Sequence, residues 1–265
     1  MKVLLLVFLF MLGACFGSFL CCQARRLRRK EQKKKSLGSR SVCLSCHHQL
    51  KWYDNLPIIS WLTLKGKCRY CHKKIGVAEL LSELGLALAF LMIGTTINID
   101  TASYLDWTTL ILVIFFTSIL TFLAIYDGLY GELPTSFLNA SIIIAIIILS
   151  IKLYLSISTT GFTPELIWYP LLSVTILGGI YLALYLISKG RWVGNGDWFL
   201  GTAIGVVLFH PWLALIALFL ANFIACLVMY PTTKSKKNHK IHFGPFLVIA
   251  FVIAFSFAKF FLTMV

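Results

Sequence analysis

Two aspartates adjoin long apolar runs, where a charged side chain has a high free-energy cost. Asp127 closes one long apolar run, and Asp197 opens another as the last residue of Gly-Asn-Gly-Asp at 194–197. An ionisable residue beside membrane-embedded sequence is by default a functional group. Two close carboxylates cannot both ionise easily, so one keeps a proton while the other acts as a general base on water. Asp127 and Asp197 are therefore predicted to be a catalytic pair for hydrolysis.

The Gly-x-Gly-Asp sequence is a weak signal by itself, because four residues recur by chance. It is stronger here because it opens an apolar helix and a second aspartate occupies a matching place. Its glycines have no Cβ, so the backbone can turn tightly and a substrate chain can approach closely. The alternative is two unrelated acids at the membrane boundary, with Asp197 acting as a helix N-cap.

Composition places the chain in a membrane. Of its 265 residues, 59% are hydrophobic and 13% are charged, and the mean hydropathy is +0.86. A soluble domain would carry about 25% charged residues. The predicted fold class is an all-α polytopic membrane protein with about eight transmembrane helices and a small cytoplasmic zinc-binding insert.

Basic residues set the predicted topology. The net charge is +14, and of 24 Lys and Arg, 15 lie between residues 25 and 74, two at 189–191 and four at 234–240. Basic loops stay cytoplasmic, so these three segments are expected on one side of the membrane. Such clustering fits topology and attraction to anionic lipids, so a lipid bilayer is the expected partner and nucleic acid is not.

Eight crossings that begin outside satisfy all three basic clusters, and both termini are then outside. A lipoprotein-like box at 12–15 is an alternative, but the apolar run continues past it to a basic stop. The sixth crossing is short, and it could instead be re-entrant or shielded by neighbouring helices. If the third and sixth crossings pack together, Asp127 and Asp197 meet at one depth. The predicted crossings are residues 3–24, 79–97, 107–126, 135–155, 167–187, 198–209, 211–230 and 244–264.

One polar segment, residues 36–78, carries two Cys-x-x-Cys pairs separated by 21 residues. Each pair can supply two thiolates to one ion, and two pairs complete a tetrahedral zinc shell. Four thiolates leave no open position, so the zinc is expected to be structural. The alternative is four unpaired thiols. The predicted ligands are Cys43, Cys46, Cys68 and Cys71, and the neighbouring histidines, His47, His48 and His72, are expected to be bystanders.

Three segments follow from these patterns. Residues 1–35 are the first transmembrane helix and its basic stop, 36–78 the zinc insert, and 79–265 the transmembrane catalytic bundle. Two acids, Glu79 and Glu83, are four residues apart at the start of the second crossing and share one helix face. Acids in a first turn are favoured by the helix dipole.

With these motifs together, the chain resembles a bacterial type IV prepilin peptidase over most of its length. The likeness comprises Gly-Ser-Phe-Leu at 17–20, the cysteine insert with Lys-Gly-Lys-Cys at 65–68, Glu83-Leu84, Asp127 with Leu133-Pro134, the 194–197 motif, and Phe-Gly-Pro-Phe at 243–246. It departs from the usual pattern at Thr135, where an acid is usual, at Trp198-Phe199, where a lysine is usual, and at Glu79-Leu80, where Tyr-Pro is usual.

The resemblance implies a GxGD-type aspartic endopeptidase of the bacterial inner membrane, with Asp127 and Asp197 as its catalytic residues. Such enzymes remove the basic leader of prepilins and pseudopilins on the cytoplasmic side. Many also methylate the new N-terminus with S-adenosylmethionine. The pilins served could belong to adhesion, secretion or DNA uptake.

Two other classes of protein remain open at this point. A presenilin-like GxGD protease of general substrates would suit the aspartates, but it would not need the zinc insert. A non-enzymatic membrane scaffold bearing a zinc module would need neither aspartate for proteolysis.

Overall fold

The computed structural model describes residues 1–32, 41–191, 193–233 and 242–263. Within these ranges the chain is helix and loop, without a β-strand, and it forms two compact units, Met1–Gly94 and Thr95–Val265. The first unit contains α1 (Lys2–Glu31), a 3₁₀ turn (Trp52–Asn55), α2 (Ile59–Thr63) and α3 (Val77–Gly94). The second contains α4 (Tyr104–Tyr130), α5 (Thr135–Thr160), α6 (Glu165–Val174), α7 (Ile180–Ser188), α8 (Asn195–Leu208), α9 (Pro211–Thr233), α10 (Gly244–Ser256) and α11 (Ala258–Thr263).

Six stretches of helix are long and apolar enough to cross a membrane, which confirms the predicted all-α polytopic class. A π-helical turn, Thr175–Gly179, joins α6 and α7 into the fifth of them. The predicted sixth and eighth crossings correspond to shorter helices, α8 with 14 residues and α10 with 13. At 1.5 Å per residue, α8 is about 21 Å long, short of a hydrocarbon core of about 30 Å. The basic cluster at 234–240 and the end of the first basic run lie outside the described residues.

Two predicted crossings differ from the helices that form them. The third, 107–126, is part of a longer helix, because α4 continues past Gly128 to Tyr130 and stops at Gly131, whose φ of 69° is left-handed. A single glycine inside an apolar helix costs only about 1 kcal/mol, which packing overcomes. The predicted crossing at 244–264 is interrupted at Phe257, where α10 gives way to α11.

In the first unit, α1 packs along α3 through small residues. A Cβ on Gly13 would lie 2.6 Å from the carbonyl oxygen of Leu86, and one on Gly17 would overlap the carbonyl oxygen of Ser82. Bare glycines let helix backbones approach closely in a membrane, where packing rather than hydrophobicity drives association.

In the second unit, α8 is surrounded by α5, α6, α7, α9 and α10. Gly201 and Gly205 form its tightest face, because a Cβ at either would lie 2.8 Å from a carbonyl oxygen of the α6–π segment. Ser173 closes this contact by donating its hydroxyl to the Gly205 carbonyl at 2.7 Å. At the far end, Lys152 of α5 donates to the Val207 carbonyl at 2.6 Å. The short helix is thus shielded by its neighbours, one of the two arrangements anticipated for it.

The third and sixth predicted crossings, which correspond to α4 and α8, share two neighbouring helices. Helix α4 packs mainly on α5 and α10, and α8 packs on the same two helices. Asp127 and Asp197 are therefore brought together through shared neighbours.

The α1–α3 contact generates a stability prediction. Gly17→Ala is expected to lower thermal stability in detergent, because the new methyl group meets backbone that cannot rotate away, an overpacking cost of about 1–3 kcal/mol. Gly85→Ala is the matched control on α3, since a Cβ there meets nothing within 4 Å. Thermal unfolding of both variants and wild type checks this. Equal melting temperatures for the two variants would contradict it.

Candidate active site and cysteine cluster

Asp127 lies in the last turn of α4, and only 7% of the residue is exposed. Its Oδ2 accepts a hydrogen bond from the Gly244 backbone N–H at 2.9 Å. Its Oδ1 lies 3.6 Å from Nδ1 of His242. The first residue of α10, Gly244, and His242, two residues before it, therefore position this carboxylate.

Two glycines make this approach possible. Gly131 ends α4 in a left-handed conformation and donates its N–H to the Asp127 carbonyl at 2.7 Å. A Cβ on Gly244 would lie 2.9 Å from Asp127 Oδ2, so any larger residue would displace the carboxylate. The predicted closing motif at 243–246 thus meets the first aspartate, which the sequence pattern did not indicate.

Asp197 is the third residue of α8, and 6% of it is exposed. Its Oδ2 accepts a hydrogen bond from the N–H of Gly194, the N-cap residue, at 2.9 Å. The alternative of Asp197 as the N-cap itself is therefore wrong, although its carboxylate does satisfy one amide of the helix start. The Gly-Asn-Gly turn aims the side chain along the first turn of the helix.

Both carboxylates line one cavity of about 400 Å³ inside the second unit. Its wall comes from the end of α4, the loop into α5, and the first turns of α5 and α8. Gly196 is pressed against Leu133, since a Cβ there would lie 2.8 Å from the Leu133 Cβ. The structure brings the two predicted catalytic aspartates together. The cavity residues are Asp127, Gly131, Glu132, Leu133, Thr135, Leu138, Asn139, Gly194, Asn195, Gly196, Asp197 and Phe199.

Two departures from the prepilin-peptidase pattern lie in the cavity wall. Thr135, where an acid is usual, and Phe199, in place of the usual Lys-containing segment, both line it. Among the described hydrogen bonds, none joins either residue to Asp127 or Asp197. The other polar side chains of the wall are those of Glu132, Asn139 and Asn195.

Sequence reasoning missed one neighbour of the pair. His242 was assigned only to a basic loop, yet its ring lies beside Asp127. The available signal was its place directly before the Phe-Gly-Pro-Phe motif.

In the first unit, the four predicted metal ligands converge. The Sγ atoms of Cys43, Cys46, Cys68 and Cys71 all lie within 4.8 Å of one another. Cys43 Sγ and Cys71 Sγ are 3.9 Å apart. Two sulfurs bonded to one tetrahedral zinc at 2.3 Å would be roughly 3.8 Å apart, so the cluster fits that ion.

The two cysteine pairs have the same local geometry. The N–H of each first cysteine donates across its turn, Cys43 to the His48 carbonyl at 3.0 Å and Cys68 to the Lys73 carbonyl at 2.9 Å. Each second cysteine is followed by a histidine in left-handed conformation, with φ of 56° at His47 and 54° at His72. These histidines therefore form the turns. Among the described residues, only cysteines make up the metal-binding group.

Hydrogen bonding prepares Cys43 for metal. Burial acts to raise the pKa of its thiol, but hydrogen bonds from the backbone N–H groups of Cys46 and Ser45 outweigh burial and lower the pKa to about 7. A thiolate is the form that binds zinc.

Acidic side chains hold the insert together and attach it to α3. Asp54, buried between the two cysteine pairs, accepts from Arg69 Nε at 2.7 Å and from the Tyr70 hydroxyl at 3.2 Å. Glu83 accepts from the Ile58 N–H at 2.7 Å, which secures a loop residue with a φ of 62°. Glu79 forms an ion pair with Arg25 of α1. Each of these acids has a structural partner within the first unit.

Comparison with known proteins gives a consistent set of relatives. Residues 11–97 match the family model described as the bacterial peptidase A24 N-terminal domain. A prepilin leader peptidase/N-methyltransferase of Vibrio cholerae is 28% identical over 266 residues, covering 96% of this chain and 98% of the relative. These matches confirm the resemblance to prepilin peptidases inferred from the motifs.

Local similarity is higher in the N-terminal third. A prepilin leader peptidase/N-methyltransferase of Myxococcus xanthus is 43% identical over 84 residues, 32% of this chain and 24% of the relative. The type 4 prepilin-like proteins leader peptide-processing enzyme of Escherichia coli is 48% identical over 62 residues, 23% of each chain. No solved structure matches this chain significantly.

The cysteine geometry predicts metal content. Purified protein is expected to hold one zinc per chain by elemental mass spectrometry, and Cys68→Ser is expected to lose it with a lower melting temperature, since a missing thiolate opens the shell. Cys226→Ser, an exposed cysteine on α9, is the matched control and should keep the metal. A Cys68→Ser variant with full zinc content would refute the cluster as the metal site.

Proposed function

We propose that this chain, similar to prepilin leader peptidases along nearly its whole length, is a membrane aspartic endopeptidase. Its substrates are prepilins and pseudopilins, and it removes their basic leader peptide. The observation that carries the proposal is that two buried carboxylates, Asp127 and Asp197, line one cavity. The relatives' names supply the substrate class.

In the proposed reaction, the ionised aspartate takes a proton from a water molecule as that water attacks the scissile carbonyl carbon. The protonated aspartate donates a hydrogen bond to the carbonyl oxygen and stabilises the negative charge that develops there. The tetrahedral intermediate then collapses, the C–N bond breaks, and a proton passes to the leaving amine. The apolar surroundings strengthen these interactions by excluding most water.

Orientation of the substrate follows from charge. The three basic segments favour a cytoplasmic position. The start of α8, which lines the cavity, follows the segment at 189–191, and α10, whose Gly244 contacts Asp127, follows the segment at 234–240. A basic leader therefore stays on the cytoplasmic side while the apolar segment behind it remains in the membrane. The scissile bond between them comes to the depth of the aspartates. We place the enzyme in the bacterial inner membrane, with both termini outside.

We assign zinc a structural role in the cytoplasmic insert, held by the four cysteines, because four thiolates leave no position for substrate or water. The proposed second activity is methylation of the new N-terminus with S-adenosylmethionine as the methyl source. It rests on the names of the relatives. The amine released by cleavage at the aspartates is the nucleophile that such a transfer requires.

The central test is cleavage of a prepilin-type substrate in liposomes. Asp127→Asn and Asp197→Asn are each expected to lower the rate by at least about a thousandfold, because an amide can neither accept a proton from water nor supply one. Asp106→Asn, at the opposite end of α4 and paired with Ser103, is the matched control and should cleave normally. If both variants cleave, or wild type does not, a non-enzymatic scaffold becomes the better account. A product mass increased by one methyl group, seen only with S-adenosylmethionine, would add the transferase.

A second test concerns carboxylate position. Gly244→Ala is expected to lower the cleavage rate on the order of a hundredfold, because its Cβ would displace Asp127 Oδ2 and misplacement of about 1 Å can cost that much. Gly128→Ala should keep the rate, since its Cβ meets only Pro245, at 3.8 Å. Kinetics of both variants on one substrate measure this. Equal losses in the two would show that the alanines act through helix stability instead.

A further inference from the structure

His242 lies beside one of the two carboxylates that line the cavity. Its Nδ1 lies 3.6 Å from Asp127 Oδ1, and its side chain is 34% exposed while that of Asp127 is 9% exposed. The ring therefore lies between a buried carboxylate and solvent, where it can exchange protons with water.

The end of α4 accommodates this ring specifically. A Cβ on Gly131 would lie 2.9 Å from His242 Cε1, so the imidazole rests against the bare α-carbon of the helix cap. The C-terminal end of a helix carries partial negative charge, which favours a cation there. The Asp127 carboxylate adds a full negative charge on the same side. Both features make this position suitable for a positively charged side chain.

The two aspartates are consequently not equivalent. Asp127 faces an N–H donor at Gly244 and the His242 ring. Asp197 accepts from the N–H of Gly194 within its own helix turn. Hydrogen-bond donors and an adjacent positive charge favour the ionised form of a carboxylate. The arrangement thus distinguishes one member of the pair as the better carrier of negative charge.

We infer that His242 is a positioning residue whose protonated ring holds Asp127 as the ionised member of the pair, which makes Asp127 the general base and Asp197 the general acid. This inference rests on the proposed peptidase function and deepens it. Asp127 takes the proton from water, and Asp197 hydrogen-bonds the substrate carbonyl. In this role His242 acts through Asp127 and does not itself take the proton of the attacking water.

Other titratable groups near His242 are few in the described part of the chain. Asp127 faces it from α4. Glu132 and Asp197 line the same cavity, and Tyr181 of α7 packs against the following residue. Among these described titratable residues, His242 is the one whose side chain can carry a positive charge.

The test is the pH dependence of cleavage between about pH 5 and pH 9. The quantity to compare is the ratio of each variant's turnover number to that of wild type, because loss of the Asp197 proton at alkaline pH slows all three proteins alike. His242→Gln keeps a hydrogen-bond donor without charge, so at low pH its turnover number should be about tenfold below that of wild type, with KM unchanged, and the gap should close as the pH rises. His242→Lys keeps a positive charge throughout this range and should stay faster than the Gln variant at every pH. Melting temperature and zinc content control for folding.

A His242→Gln variant with the wild-type turnover number and pH profile would overturn the inference, as would a folded His242→Lys variant no faster than the Gln variant. Both outcomes differ from failure of the proposed function. If the proposed peptidase function itself were wrong, wild type would not cleave, or Asp127→Asn would cleave as well as wild type.

Discussion

The structure depends on keeping two carboxylates inside an apolar helical bundle. A buried charge is tolerated only when it is paired or hydrogen-bonded. Here each aspartate receives a backbone N–H at a helix start, Asp127 from Gly244 of α10 and Asp197 from Gly194 before α8. Helix N-termini offer unsatisfied amides and a positive dipole end, so they suit an anion. The ends of the helices, rather than their middles, therefore define the site.

Glycine is what allows the helices to meet at these ends. Gly244 and Gly196 each occupy a place that a Cβ would fill, the first against Asp127 and the second against Leu133. Deeper in the bundle, Gly201 and Gly205 let α8 approach the α6–π segment closely. Because α8 is shorter than the hydrocarbon core of a bilayer, its position along the membrane normal is set by these contacts and by the Lys152 hydrogen bond at its C-terminal end. Packing in the bundle interior thus determines where Asp197 lies.

Much of this could be predicted from the chain alone. Apolar length and basic loops identify a polytopic helical protein, because both follow from the cost of placing charge and open backbone in lipid. The cysteine spacing identifies the cluster, since two equal turns impose their geometry locally. The two aspartates were found because an acid in apolar sequence has few structural explanations.

The contacts that could not be predicted join residues that are far apart in the sequence. Gly244 lies 117 residues after Asp127 in the chain, and no local pattern links the two. The same holds for His242, which follows the basic segment at 234–240 in the sequence. The end of α4 was placed too early because glycine's weak helix preference was overridden by packing in an apolar helix. The sequence also did not indicate that α5 and α10 would each pack against both α4 and α8.

The most direct measurement of the central claim is the affinity of a substrate mimic that needs both carboxylates. A prepilin-derived peptide whose scissile amide is replaced by a hydroxyethylene group places its hydroxyl where the tetrahedral intermediate forms. A matched peptide carries a plain ethylene group at that bond. If Asp127 and Asp197 act as a catalytic pair, calorimetry on the purified protein will show the hydroxyl peptide binding at least about a hundredfold more tightly. Equal affinities for the two peptides would contradict a shared catalytic role for these aspartates.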